Sequence, residues 1–252
     1  MIAATGEQLR WELVGRVMKL YRYPVKSMAG ERLEEARLGW HGLAGDRRYA
    51  FLRLDSRSGL PWLSARDFPG LLCYRAHYAD SKDLSFGRPI VITPGGETFS
   101  VWDYLLLGKL TADAGHPLHP VQLWRGAYDA MDLSLLTTGS LRTMSSRVGR
   151  SLEASRFRPN ILIEATAARD FPEEKWVGRQ LSFGERPDTT RVLIARKDER
   201  CAIVNFDPAT AASDPRILRE IVRTRRNLLG VYAIVQRPGL VRDGNSVWLR
   251  RG

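Results

Sequence analysis

The stretch Val14-Gly15-Arg16-Val17-Met18-Lys19-Leu20-Tyr21-Arg22-Tyr23, followed by Pro24-Val25-Lys26-Ser27, decides the fold. Apolar and polar side chains fall at roughly alternate positions, the period of a half-buried strand and not of a helix. Pro24 then ends the ladder, because proline has no amide to donate. Similar text recurs outward at 33–38, 48–54 and 71–78, each run bounded by Gly, Pro or Asp. The segments 85–89 and 93–96 read as turns. Closely spaced strands with this punctuation predict an antiparallel barrel or sandwich.

Past residue 100 the pattern mixes. Residues 101–110 read as a short helix, and Gly115-His116-Pro117-Leu118-His119-Pro120 as a linker, which places a domain boundary near residue 115. A helix is predicted over 140–148 after a Thr-Thr-Gly turn, and strands over 160–163 and 191–195. Asp214-Pro215 opens a further helix: Asp caps the first amides, Pro takes the first turn, and Ile217, Leu218, Ile221 and Val222 form the apolar stripe. Residues 231–235 and 246–249 read as closing strands. The predicted class is mostly β with some helices (α+β), in two parts covering 1–115 and 116–252.

A chain of 252 residues, 44% apolar and 27% charged, buries a substantial core. Two cysteines exclude a disulfide framework and fit a reducing compartment, so a cytoplasmic location is expected. No run reaches the roughly 18 apolar residues that span a bilayer, and residues 1–10 lack the pattern of a signal peptide. The net charge of +11 favours anionic partners. The arginines are scattered, at Arg47-Arg48, Arg156, Arg158, Arg223, Arg225, Arg226 and Arg250-Arg251, without the clustered and aromatic-interleaved patch of a nucleic-acid binder. A small anionic ligand needs only two or three of them.

One cysteine stands in a suggestive setting, Lys197-Asp198-Glu199-Arg200-Cys201-Ala202-Ile203-Val204-Asn205-Phe206-Asp207-Pro208. A neighbouring cation favours the thiolate, which is the nucleophilic and metal-binding form. A thiolate suits soft metal centres better than hard, oxygen-loving ions. The other cysteine, Cys73, lies in an apolar strand pattern and reads as core. His41, His77, His116 and His119 show no metal-ligand spacing.

Several separated segments fall in one order: Tyr23-Pro24-Val25-Lys26-Ser27, then Gly42-Leu43-Ala44-Gly45-Asp46-Arg47-Arg48, Ser64-Ala65-Arg66, Arg156-Phe157-Arg158-Pro159-Asn160, Arg200-Cys201, and Gly230-Val231-Tyr232 with Pro238-Gly239. This set resembles MOSC-domain proteins, named for the C-terminal domain of molybdenum cofactor sulfurase. Within them it is most similar to the group with an N-terminal MOSC-associated β-barrel, the amidoxime-reducing-component-like family. The resemblance implies a β-barrel or sandwich MOSC domain behind an N-terminal β domain. It implies a molybdenum-pyranopterin cofactor whose metal is held by Cys201. It assigns cofactor contacts to Lys26, Ser27, Arg47, Arg158 and Asn160, the first three chemically suited to phosphate.

By the same likeness Asp129, eleven residues before Ser140, is the acid beside the metal, with Asp132 a nearby competitor. Departures from the family pattern are Ala130 and Met131 where some relatives carry polar residues, and a shorter segment between 99 and 122. No cysteine cluster for an iron–sulfur domain is present. The implied activity is reduction of N-hydroxylated small molecules with electrons from a separate ferredoxin- or flavoprotein-type donor. Two other readings stand beside it: a cofactor or sulfur carrier using a Cys201 persulfide, and a basic nucleic-acid-binding module. A membrane partner is not expected.

Overall fold

The computed structural model describes residues 11–80, 84, 87–128, 130–186 and 189–251. The first half of the chain forms β1 (Trp11–Arg22), β2 (Glu31–Leu33), β3 (Glu35–Gly39), β4 (Gly42–Leu43), β5 (Tyr49–Arg53), β6 (Arg75–His77), β7 (Ile90–Ile92), β8 (Thr98–Ser100), helix α1 (Tyr104–Ala114) and β9 (Leu118–Gln122). The second half forms β10 (Leu133–Thr137), helix α2 (Thr138–Val148), β11 (Ile161–Ala165), β12 (Gln180–Phe183), β13 (Thr190–Glu199), helix α3 (Arg216–Arg225), β14 (Leu228–Arg237), β15 (Gly239–Arg242) and β16 (Ser246–Arg250). Strands dominate, as the alternation predicts.

Seven strands close into a barrel in the order β11-β10-β14-β13-β12-β16-β1, with β1 pairing back onto β11. Every pair is antiparallel except β10 with β11. β1 is the one barrel strand from the first half of the chain. It points Val14, Val17 and Leu20 into a core shared with Leu135, Ile163, Phe183, Ile194 and Val231. Burying each such side chain contributes about 1.5–3 kcal/mol. Closure needs Gly15, because a Cβ there would meet the Glu164 carbonyl oxygen of β11 at 2.4 Å. Irregularities in the pairing of β1 with both neighbours break its strict alternation and leave Leu13 and Met18 exposed.

The rest of the first half builds a second core. The meander β6–β7–β8, the β5–β9 pair and α1 bury Val25, Met28, Tyr49, Leu71, Leu106 and Leu110. β15 leaves the second half to pair with β3, so the two parts of the chain exchange strands in both directions. A third core joins α2 and α3 to the outside of the barrel through Leu136, Met144, Phe157, Ile217 and Ile221. Among the described residues no helix is long and apolar enough to cross a membrane.

Local chemistry explains where the elements differ from their predicted bounds. The run at 71–78 is a one-turn helix, Pro69–Cys73, followed by the short β6; Pro69 suits a first turn, where no amide is needed. Cys73 is therefore half-buried instead of in the core, and its thiol reaches the Ala209 carbonyl at 3.4 Å. The α1 helix begins at Tyr104 because the Asp103 side chain accepts from the Leu105 amide, and Gly115 ends it in the left-handed region. The supposed linker then enters β9, with Pro120 opposite Phe51 in a two-stranded sheet that tolerates proline. Asp214 accepts from the Arg216 amide at the start of α3, as predicted, but Val222 stays half-exposed and the stripe rests on Ile217 and Ile221.

Candidate functional site

Where β1 leaves the barrel, the chain turns through Tyr23-Pro24-Val25-Lys26-Ser27, and Tyr23 becomes the centre of a buried cluster. Its amide donates to Asp46 Oδ1 (2.7 Å), and its hydroxyl donates to the Pro159 carbonyl of the second half (3.2 Å). Two guanidinium groups lie against its ring, Arg158 at 4.2 Å and Arg47 at 4.9 Å from the centroid. Cation–π attraction holds both cations in place despite their mutual repulsion. Burial pushes the Tyr23 phenol well above its usual range, so it stays a neutral donor.

Arg47 pairs with the fully buried Asp46 and donates to the Arg158 carbonyl at 3.2 Å. Burial opposes its charge, but Asp46 outweighs that penalty and raises its pKa. Arg158 donates to the Met28 carbonyl at 2.7 Å and has no carboxylate partner among the described residues. Burial, and then the like charge of Arg47, push its pKa down to about 10. It remains a cation at neutral pH, but one that a nearby anion would stabilise. Its Nη2 atom is buried without a protein partner, as is Nε of Arg156.

The backbone at this site is strained in a consistent way. Ser27, Arg47, Arg158 and Asn227 all line the cleft, and they are four of the seven described non-glycine residues with positive φ. Each such conformation costs on the order of 1–3 kcal/mol, and strain of this kind concentrates at ligand clamps. Arg158 adopts φ 52° and ψ 43°, although the following proline favours an extended predecessor. The buried Lys26 donates from Nζ to the Ala127 carbonyl at 2.9 Å, which ties the first half to the segment before β10.

Asn160, fully buried, stitches the barrel together beneath these groups. Its side chain accepts from the Ser134 amide (3.1 Å) and donates to the Tyr21 carbonyl (3.3 Å). Its backbone bridges the same two residues, since its amide donates to Ser134 and its carbonyl accepts from Tyr21. On the facing wall β13 ends at Glu199, and Cys201 follows as an exposed residue at the start of a one-turn helix, Ala202–Asn205. Arg200 turns inward: it donates to the Leu229 and Phe157 carbonyls at 2.7 and 2.8 Å and pairs with Asp198 at 2.9 Å. The cation beside Cys201 in sequence thus braces the strand end and is matched by its own carboxylate. Gly230 permits that approach, because a Cβ there would sit 2.9 Å from Arg200 Nη2.

Lys26, Ser27, Arg47, Arg158, Asn160 and Cys201 all line one cleft of about 400 Å³ formed by both halves of the chain. Asp129 lies outside the described residues. Its neighbours Ala127, Tyr128, Ala130 and Met131 line the cleft, whereas its competitor Asp132 does not; Asp132 packs against Gly42. The donors present suit a phosphate-bearing, sulfur-rich cofactor: a buried ammonium, a hydroxyl, two clamped guanidinium groups with an orphaned N–H, and an exposed thiol. Sequence reasoning assigned no role to Tyr23, Asp46 or Asp198. The Tyr-Pro break after β1 and an acid directly before Arg47 were the available signals.

The fold and this cleft define a MOSC-domain protein with its companion barrel domain. The MOSC N-terminal beta barrel domain matches residues 14–132 and the MOSC domain residues 124–248, and the chain belongs to the proteins that join the two. The Homo sapiens mitochondrial amidoxime-reducing component 1 is 26% identical over 94% of this chain and 83% of its own length. The Macaca fascicularis component 2 is 25% identical over 95% and 84%. The match to the Mus musculus component 1, at 28% identity, spans 48% of this chain and 37% of that protein. The crystal structure of the YUAD protein from Bacillus subtilis shares the fold over 96% of this chain and 99% of its own, with a TM-score of 0.52 and 14% identity.

Proposed function

We propose that this protein is a molybdenum-pterin oxidoreductase that reduces N-hydroxylated small molecules with electrons from a separate donor protein of the ferredoxin or flavoprotein type. The observation that carries the reading is the convergence of Lys26, Ser27, Arg47 and Arg158 with Cys201 on one cleft. The first four would hold the cofactor phosphate, and Cys201 would bind the metal. Asn160, with its side chain committed to Ser134 and Tyr21, would support the cofactor by fixing the cleft wall. Asp129 would face the substrate. The cofactor, when bound, supplies the two-electron chemistry. The names of the relatives point to amidoximes as the substrate class. Two unpaired cysteines fit a reducing compartment, and the cytoplasm is the location proposed.

The chain's own contribution is placement. The Tyr23 cluster pre-orders two guanidinium groups around an anion position, so little entropy is lost when the anion arrives. The braced end of β13 fixes the strand that leads into Cys201. Turnover of an amidoxime by protein loaded with molybdenum cofactor, given a reconstituted electron donor, tests the reading. Activity in the parent and none in a folded Cys201→Ala variant is expected. Fully loaded parent protein without turnover would leave the carrier role instead.

A further inference from the structure

Seven cationic and two acidic side chains line the cleft among the described residues. Most of that charge is accounted for. Arg47, Arg156 and Arg200 have their own carboxylates in Asp46, Asp207 and Asp198. A cofactor phosphate would meet Arg158, which has no carboxylate of its own among the described residues, with Lys26 beside it in the same cleft. Arg196 has the exposed Glu199 at 3.7 Å, and Arg66 remains. Among the described residues neither shares a hydrogen bond or ring contact with Tyr23, Arg47 or Arg158.

Arg66 is exposed, but the turn that carries it is rigid. Ser64 is buried, its hydroxyl donates to Asp67 at 2.7 Å, and the amides of Asp67 and Phe68 donate back to the Ser64 carbonyl. Ala65 is fully buried. The one acid in this turn, Asp67, is occupied by Ser64 and Arg53 (3.1 Å), so Arg66 faces the cleft with no carboxylate partner among the described residues. Arg196 reaches the cleft from β13, its guanidinium 5.4 Å from the Tyr232 centroid. It pairs loosely with the exposed Glu199 at 3.7 Å, a contact that solvent weakens. Leu60 and Met131 supply apolar lining nearby in the same cleft. A concave surface with an unbalanced positive charge focuses its field on an incoming anion.

Building on the reductase reading, we infer that the substrate itself is an anion: an N-hydroxylated compound bearing a carboxylate or phosphate, gripped by Arg66 with Arg196 assisting. Two matched pairs of probes separate the anion types, benzamidoxime against its para-carboxylate and N-hydroxycytidine against its 5′-phosphate. Binding of all four is measured by calorimetry on the purified protein, and KM on the cofactor-loaded protein.

At least one anionic member should bind about tenfold more tightly than its neutral partner, the effect of one charge-assisted hydrogen bond. Arg66→Ala should abolish that preference without changing the neutral members, and Arg66→Lys should keep part of it. Arg219→Ala, on the outer face of α3, should change nothing. Equal affinities within both pairs, or an Arg219→Ala loss as large as that of Arg66→Ala, would overturn the inference. An Arg66-dependent preference in calorimetry with no turnover of any probe would uphold the anionic ligand and reject the reductase reading.

Discussion

Arg156 and Arg158 stand two residues apart on the same turn and meet opposite environments. Arg156 donates to the Asp207 carboxylate at 2.9 Å and to the Val204 carbonyl at 3.3 Å, so its charge is matched by the protein. Arg158 lies on the Tyr23 ring, donates to one carbonyl, and has no carboxylate among the described residues. Arg156 therefore locks the one-turn helix after Cys201 against the turn before β11. Arg158 is held ready for a charge the protein does not provide. A buried cation finished inside the fold serves the fold, and one left open in a pre-ordered clamp serves a ligand.

The largest stability effect in this comparison is expected at Asp46, which keeps the open side from being destabilised by its own charges. Asp46→Ala leaves Arg47 uncompensated beside Arg158 and strands the Tyr23 amide. A loss of about 3–5 kcal/mol is expected, the cost of breaking a buried pair, measured by urea unfolding. A loss below about 1 kcal/mol would mean that the cluster is not preassembled.

The two arginines should then separate by readout. Arg156→Ala should lower the melting temperature, since Asp207 loses its partner, while cofactor retention per folded chain stays close to the parent. Arg158→Ala should reduce retention by tenfold or more, as one or two charge-assisted contacts of about 1.5–3 kcal/mol disappear. Arg158→Gly should lose retention equally but melt higher than Arg158→Ala, by the equivalent of about 1 kcal/mol, because glycine accepts φ 52° without strain. Equal retention in the Arg156 and Arg158 variants would erase the distinction.

A smaller effect is expected away from the cleft, at Glu174, which pairs with Arg225 and with Lys197 at 2.7 Å. Burial raises its pKa, but the two cations outweigh burial and hold it below the usual carboxylate range. A depressed pKa contributes stability above the unfolded-state value, and that contribution is lost as the pH falls through the folded-state value. Glu174→Gln should cost about 1 kcal/mol at pH 7, discounted for the partial exposure of Lys197. The gap to the parent should narrow steadily below about pH 4. A gap that is constant from pH 7 to pH 3 would contradict this.

Much of the fold was legible because periodicity reports which face of a strand is buried. β1, β5, β11, β14 and β16 follow from it, α2 from the turn before it, and α3 from its cap and apolar stripe. What the pattern does not report is pairing. Nothing in the text of β1 says that it closes a barrel made otherwise from the second half, or that β15 returns to β3. Gly15 is the trace of that closure in the sequence, and it is readable only once β11 lies beside it.

At the site, the residue types of Lys26, Ser27 and Arg47 suited phosphate, while Arg158 came only through the family resemblance. The role of Arg200 was not, since adjacency to Cys201 suggested activation of the thiol while its side chain points inward to Asp198. Tyr23 was hidden for a similar reason: its importance comes from two guanidinium groups, one brought from each half of the chain.

Molybdenum content per folded chain, in protein produced with excess molybdate, tests the central claim most directly when the parent is compared with Cys201→Ala and Arg158→Ala. The account predicts near-stoichiometric metal in the parent, loss in Cys201→Ala, and strong reduction in Arg158→Ala. Metal absent from all three, or equal in all three, would contradict it.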